Sequence, residues 1–194
     1  MMTQMLFSCL NIIALFIAAH ASKFMWYIWA ISSLLTGYLF ATSNLYGNLV
    51  VATCVGFTCV AAFATWYEDE EYNREQITWG APILALLESF VIGVLLYIFC
   101  NNTFVSPIFE CMGAGSIIVG VYLLYRKRVT AWIILIYSFL MYTIAAAVTG
   151  NVKATIITVA QIIVAIYGLT RYMEFYEDNK IREQKNLKKF GNTK

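Results

Sequence analysis

A few polar and aromatic side chains sit where the surrounding sequence is otherwise apolar, and these are the groups able to do chemistry. Gln161 lies in the middle of the run Val152–Tyr172, one turn from Thr158 and one turn from Ala165. Both ends of its amide require hydrogen-bond partners, which a neighbouring helix or a bound solute would supply. Trp26, Trp29 and Trp132 offer indole faces that either stack on a flat ring or anchor at a lipid–water boundary. Ser33 and Ser138 follow them one to two turns further along, Tyr142 adds a second ring, and Asn48 opens the run after Leu45 as either an entrance group or a cap. With Thr158, these residues can hold a ring by stacking and a polyol by hydrogen bonding.

None of them makes or breaks bonds. The chain has one histidine, His20, no HExxH pair, no phosphate-cradling glycine loop and no Ser–His–Asp set. Cys9, Cys54, Cys59, Cys100 and Cys111 contain no CxxC pair and no adjacent histidine, so neither a zinc site nor any other cofactor is called for. Cys100 and Cys111 flank one short loop, which leaves a disulfide open. A net charge of +2 gives no case for nucleic acid. The reading is a binding or transport protein, not an enzyme.

The elements that position these residues follow from composition. The 194 residues are 61% hydrophobic and 12% charged, against about 25% charged in a soluble domain. Apolar surface on this scale needs lipid as its solvent. Runs of about 20 apolar residues are long enough to cross the hydrocarbon, and seven occur: Met5–Ala21, Met25–Ala41, Leu45–Trp66, Ala81–Cys100, Ser106–Tyr125, Ala131–Val148 and Val152–Tyr172. Strand alternation is absent and an open sheet edge cannot survive in lipid, so the fold is an all-α integral membrane protein. The first run lacks a basic segment before it and reads as a retained helix.

A longer acidic link, Tyr67–Gly80, separates three spans from the rest, giving a 3+1+3 arrangement. The divisions are 1–66, a loop and linker helix over 67–100, a second trio over 101–172, and a charged tail over 173–194 that extends helix seven and frays. Lys23, Arg74, Arg126, Lys127, Arg128, Arg171 and the tail cations fall on one side and Lys153 alone on the other. The positive-inside rule then places the tail in the cytoplasm and the N-terminus outside.

Displacing the chain by 106 residues puts Trp26 on Trp132, Ile28 on Ile134, Ser32 on Ser138, Leu34 on Leu140, Ala41 on Ala147 and Glu68 on Glu174 without a gap. Two trios joined by a single helix run the same way through the membrane. That is a parallel repeat, and such repeats enclose a solute path between their halves. The lining expected here comes from helices two, three, six and seven. Glu88, the one acid deep in a span, lies in helix four and either couples transport to protons or pairs locally. Glu110 lies near the outer surface.

Three stretches give the chain a likeness to known proteins. They are Asn11–Ala14, then Trp26–Trp29 through Gly37–Phe40 to Leu45–Asn48 and Trp66, then Arg126–Arg128, Ala131–Ile133, Ala165–Gly168 and Arg171. In order and spacing the chain resembles the bacterial nicotinamide riboside transporter (PnuC) family, whose fold is related to the SWEET sugar facilitators. The resemblance implies an inner-membrane facilitator of a pyridine nucleoside or a related vitamin or nucleoside, working without an energy source. It also implies homotrimers and a cytoplasmic kinase that traps the solute. The family's second repeat reads Trp, Trp three residues on, and Asn or Asp four further; here Trp132 is followed by Leu135 and Phe139. A sugar facilitator and a membrane scaffold that transports nothing are the alternatives.

Overall fold

The computed structural model describes residues 2–20, 22–42, 46–65, 80–100 and 104–191, with the backbone alone at 2–8, 40, 46–47, 176 and 178–191. Trp66, the acidic run Glu68–Glu71 and Arg74 lie outside the described residues. Seven helices are present: α1 (Met2–Ala18), α2 (Phe24–Thr42), α3 (Tyr46–Thr65), α4 (Gly80–Cys100), α5 (Pro107–Tyr125), α6 (Thr130–Val148) and α7 (Val152–Gly191). No strand occurs among the described residues. Five helices, α3 to α7, are long and apolar enough to cross a membrane, and α1 and α2 contain shorter apolar stretches. The chain is an all-α integral membrane protein. Lipid satisfies no backbone hydrogen bond, so each apolar run must close its own as a helix.

The helix ends have local causes. Pro107 occupies the first turn of α5, and the Ser106 N–H donates to Glu110 Oε1 at 2.8 Å, using a donor the helix leaves unpaired. Glu110, expected to be only solvated, thus closes its own helix start. After α5 and α6 the backbone turns left-handed, at Lys127 (φ 55°) and Gly150 (φ 70°). The next N–H groups then reach back, Arg128 to Leu123 O at 3.0 Å and Asn151 to Ala146 O at 2.9 Å, in the geometry that ends helices. Asn151 Oδ1 in turn accepts from Ala154 N and starts α7.

Helix contacts define the architecture. α1 packs on α2, α2 on α3, α3 on α5, α5 on α6, α6 on α7, and α7 back on α1. These six form a closed ring, and among the described residues no pair across it has backbone contact. Under the 106-residue shift the list maps onto itself, with the first helix of each trio packing on the third helix of the other. α4 lies outside the ring against α5, with lesser contacts to α6 and α3. A Cβ on Gly115 would collide with the Ser89 carbonyl and lie 2.7 Å from Gly93 N; these glycines let the two backbones touch, as small residues do between membrane helices.

The direction of each helix follows from its end contacts. Tyr125 at the end of α5 meets Thr65 at the end of α3 and Trp26 at the start of α2. Tyr167 of α7 meets His20, just past α1, and Trp132 at the start of α6 meets Tyr172 of α7. α1, α3, α5 and α7 therefore run one way and α2 and α6 the other. The end they share with the α7 extension is called the tail side below. α7 remains helical to Gly191, well beyond the membrane-length part that stops at Phe175.

Candidate functional site

The largest fully buried side chains, Trp26, Trp132, Tyr172, Leu15, Met25 and Leu124, all lie in the tail-side half of their helices. The ring is packed shut there. Trp26 stacks on Trp29 with centroids 6.2 Å apart and meets Tyr125 edge-on at 6.4 Å. Trp132 meets Tyr172 edge-on at 5.3 Å, and its six-membered ring lies against Gly168, where no side chain of any size would fit. The three tryptophans are 0–3% exposed, so within this chain they are core groups and not lipid-boundary anchors. The reason is their helix face: Trp26 turns onto α5 of the opposite trio, and Trp132 onto α7 of its own. Trp132 Nε1 is buried with no hydrogen-bond partner.

Gln161 lies two turns from Gly168 toward the other end, on the stripe Gln161, Ala165, Gly168, Tyr172 that forms the buried face of α7. It is 9% exposed, and its amide forms no hydrogen bond among the described residues. An amide at this depth without a partner carries an unmet desolvation cost. The interhelical tie that a span glutamine often makes is absent. Gln161 is thus an uncommitted polar group on the buried face of α7, and the tryptophan layer lies to its tail side.

Other polar residues singled out in the sequence are already committed. Ser138 Oγ donates to Gly113 O at 2.7 Å, tying α6 to α5. Thr158 Oγ1 bonds back to Ala154 O at 3.0 Å and accepts from Thr143 Oγ1 at 2.8 Å, tying α7 to α6. The Tyr142 ring covers Gly113, 3.0 Å from where a Cβ would stand, so it packs α6 on α5. Ser33 lines a groove of about 380 Å³ between α2 and α3 with Gly37, Ala52 and Gly56. Its rim residues Leu34, Tyr38 and Phe57 are exposed, so this groove opens sideways toward lipid. Asn48 is half-buried in the first turns of α3. Glu88 is exposed on α4 in a second lateral groove, with Leu87, Val91 and Tyr122, outside the ring. Cys100 and Cys111 are not joined by a disulfide.

The structure therefore brings Trp26 and Trp29 together, puts Trp132 in the same tail-side layer, and places Gln161 beyond that layer. Ser33 and Asn48 stand apart. In the ring α2 sits between α1 and α3 and α6 between α5 and α7, so the two trios meet through α1 on α7 and α3 on α5. Sequence reading missed Tyr172 and Gly168, whose signal was their spacing from Ala165 on one face, and Asn11, whose Oδ1 accepts from Ser32 Oγ at 2.8 Å.

The fold is thus a ring of two trios with buried tryptophans toward the tail side and, on the buried face of α7, an amide that forms no hydrogen bond among the described residues. A protein-family model described as "Nicotinamide mononucleotide transporter" matches residues 1–174. The chain belongs to that family. It is accordingly a membrane transporter of the nicotinamide mononucleotide and riboside type. Searches of curated proteins and of solved structures give no match. Where family members carry a second tryptophan, this transporter has Leu135, fully buried and filling the space over Gly120, whose added Cβ would lie 2.9 Å from Leu135 Cδ2. That position serves α5–α6 packing here.

Proposed function

We propose that this transporter is an energy-independent facilitator of an unphosphorylated nucleoside or vitamin, nicotinamide riboside or a close relative, across a bacterial inner membrane. The observation that carries the reading is Gln161, an almost buried amide on the inward-packed face of α7 with no hydrogen-bond partner among the described residues. A solute bearing hydroxyl or amide groups supplies what the protein leaves unmet. The charge inventory favours a nucleoside over a nucleotide. Among the described residues the spans hold Glu88 on the outer face of α4, Glu110 and Lys153 near the end away from the tail, and Arg171 and Glu174 at the tail-side end of α7; Lys127 is buried just past α5, and no lysine or arginine lies deep in the ring. A phosphate there would find no counter-charge, and burying an unpaired charge is prohibitive.

Glu88 faces away from the interior, which supports transport without proton coupling. Lys23, Arg126, Lys127, Arg128 and Arg171 gather at the tail side, which supports a cytoplasmic tail and, with it, a closed end that faces inward. Rocking of one trio against the other across the α1–α7 and α3–α5 seams would open the tail side. Association into trimers and trapping of the solute by a cytoplasmic kinase belong to the same proposal.

The test is a thermal-shift panel on detergent-purified protein with nicotinamide riboside, nicotinamide mononucleotide, thiamine, riboflavin, deoxynucleosides and simple sugars, followed by vesicle uptake. Stabilisation by a nucleoside or vitamin, lost in Gln161→Leu together with uptake, is the expected result. Stabilisation by sugars alone would point to a sugar facilitator, and stabilisation by nothing to a scaffold. Preference for the mononucleotide would overturn the charge argument.

A further inference from the structure

A second amide with donors to spare lies in the other trio, beside the buried face of α1. Asn11 sits in the middle of α1, on the stripe that continues through Ala14, Leu15 and Ala18, all fully buried. Ser32 Oγ of α2 donates to its Oδ1 at 2.8 Å. In this arrangement the NH₂ group is directed elsewhere. No further hydrogen bond of Asn11 forms among the described residues, so two N–H donors are left over inside the membrane region.

The duplicated scaffold shows that an asparagine is not needed to hold this seam. Ser138, the counterpart of Ser32, ties α6 to α5 through the Gly113 backbone carbonyl. The position matching Asn11 under the repeat is Ile117. A backbone acceptor suffices in one trio, while the other spends a costly side-chain amide.

Depth brings Asn11 and Gln161 together. Phe16 stacks on Tyr167 at 5.6 Å, and His20 Nε2 lies 3.4 Å from the same Tyr167 hydroxyl. α1 and α7 run in the same direction. Counting back at 1.5 Å per residue, Asn11 lies about 8–13 Å from this contact along α1 and Gln161 about 9 Å along α7. The two amides stand at one level, on adjacent helices of opposite trios.

We propose that Asn11 is a specificity-determining residue of the solute site, its Nδ2 donating to one edge of an uncharged solute while Gln161 holds another, with Ser32 as the residue that positions it. The group it reads is an acceptor oxygen, either a ribose hydroxyl or a ring carboxamide. A solute held from both trios loses one contact when they rock apart, which links release to opening. This inference rests on the transporter reading above.

The test is binding of nicotinamide riboside, its 2′-deoxy analogue and the riboside lacking the carboxamide to the purified full chain. Wild type, Asn11→Ala, Asn11→Asp and Ser32→Ala are compared, with ligand-free thermal stability recorded for each. Asn11→Ala is expected to bind the parent compound about tenfold more weakly, the scale of one hydrogen bond. It should also lose the wild type's discrimination against one of the two analogues, which names the group read. Ser32→Ala should show a smaller loss with the same analogue pattern. Should Asn11→Ala fail to fold, Asn11→Asp and Ser32→Ala decide by the same pattern. Unchanged affinity and unchanged discrimination in the folded variants would overturn the role of Asn11. Failure of wild type to bind any of the three would instead remove the nucleoside reading, and this inference with it.

Discussion

Replacing Gly168 by alanine adds one methyl group at the tightest point between α7 and α6. The new Cβ would lie 2.5 Å from Trp132 Cη2 and 2.6 Å from Cε3, and closer still to Cζ3. Carbon atoms rest at about 3.5–4.0 Å, so ring and backbone must separate by about 1 Å. Trp132 has little room to yield, because it is fully buried with Tyr172 edge-on against it. The strain therefore moves α7 away from α6. Overpacking of this kind costs about 1–3 kcal/mol. Thermal unfolding in detergent should show that loss for Gly168→Ala. Adding Trp132→Phe, which removes the colliding ring, should recover part of it, with a coupling energy of about 0.5–3 kcal/mol between contacting sites. Because the same contact helps to shut the tail side, the single variant should also admit a membrane-impermeant thiol reagent from that side more readily. A Gly168→Ala protein as stable as wild type, or losses that simply add in the double variant, would refute the account of how this end is closed.

Gly115→Ala should be strongly destabilising, since its Cβ meets the Ser89 carbonyl and Gly93 backbone of α4, whereas Gly80→Ala, with nothing within 4 Å, should change thermal stability little. Glu88→Gln should leave solute affinity and uptake rate unchanged with or without a pH gradient, because the carboxyl group faces outward from α4; a loss of uptake in vesicles would show that the path or its coupling runs through α4.

Much of this protein is legible in its residues, for a reason specific to lipid. Each backbone amide in the hydrocarbon must be paired within its own helix, so apolar run length reports the helices almost directly, and all seven expected spans coincide with helices. The distribution of Lys23, Arg126, Lys127, Arg128 and Arg171 likewise needed no coordinates to be read as one-sided, and α7 differs from expectation only in how far the helix extends past the membrane. The family resemblance, too, rested on residue order and spacing alone.

Which way a side chain faces was harder to read. A tryptophan near a span end suits a lipid boundary and a packed core equally, because its ring is both large and polar at one edge; only the docking of α6 on α7 shows Trp132 wedged on Gly168. Ser138 and Thr158 look like ligand groups until their hydroxyls are traced to Gly113 and Thr143. Gln161 and Asn11 are the converse: among the described residues Gln161 makes no hydrogen bond, and Asn11 only the one it accepts from Ser32. Helix formation is decided within each segment by the solvent around it. Commitment of a polar group depends on which helices become neighbours, and the closed order α1–α2–α3–α5–α6–α7 exists only in the assembled ring.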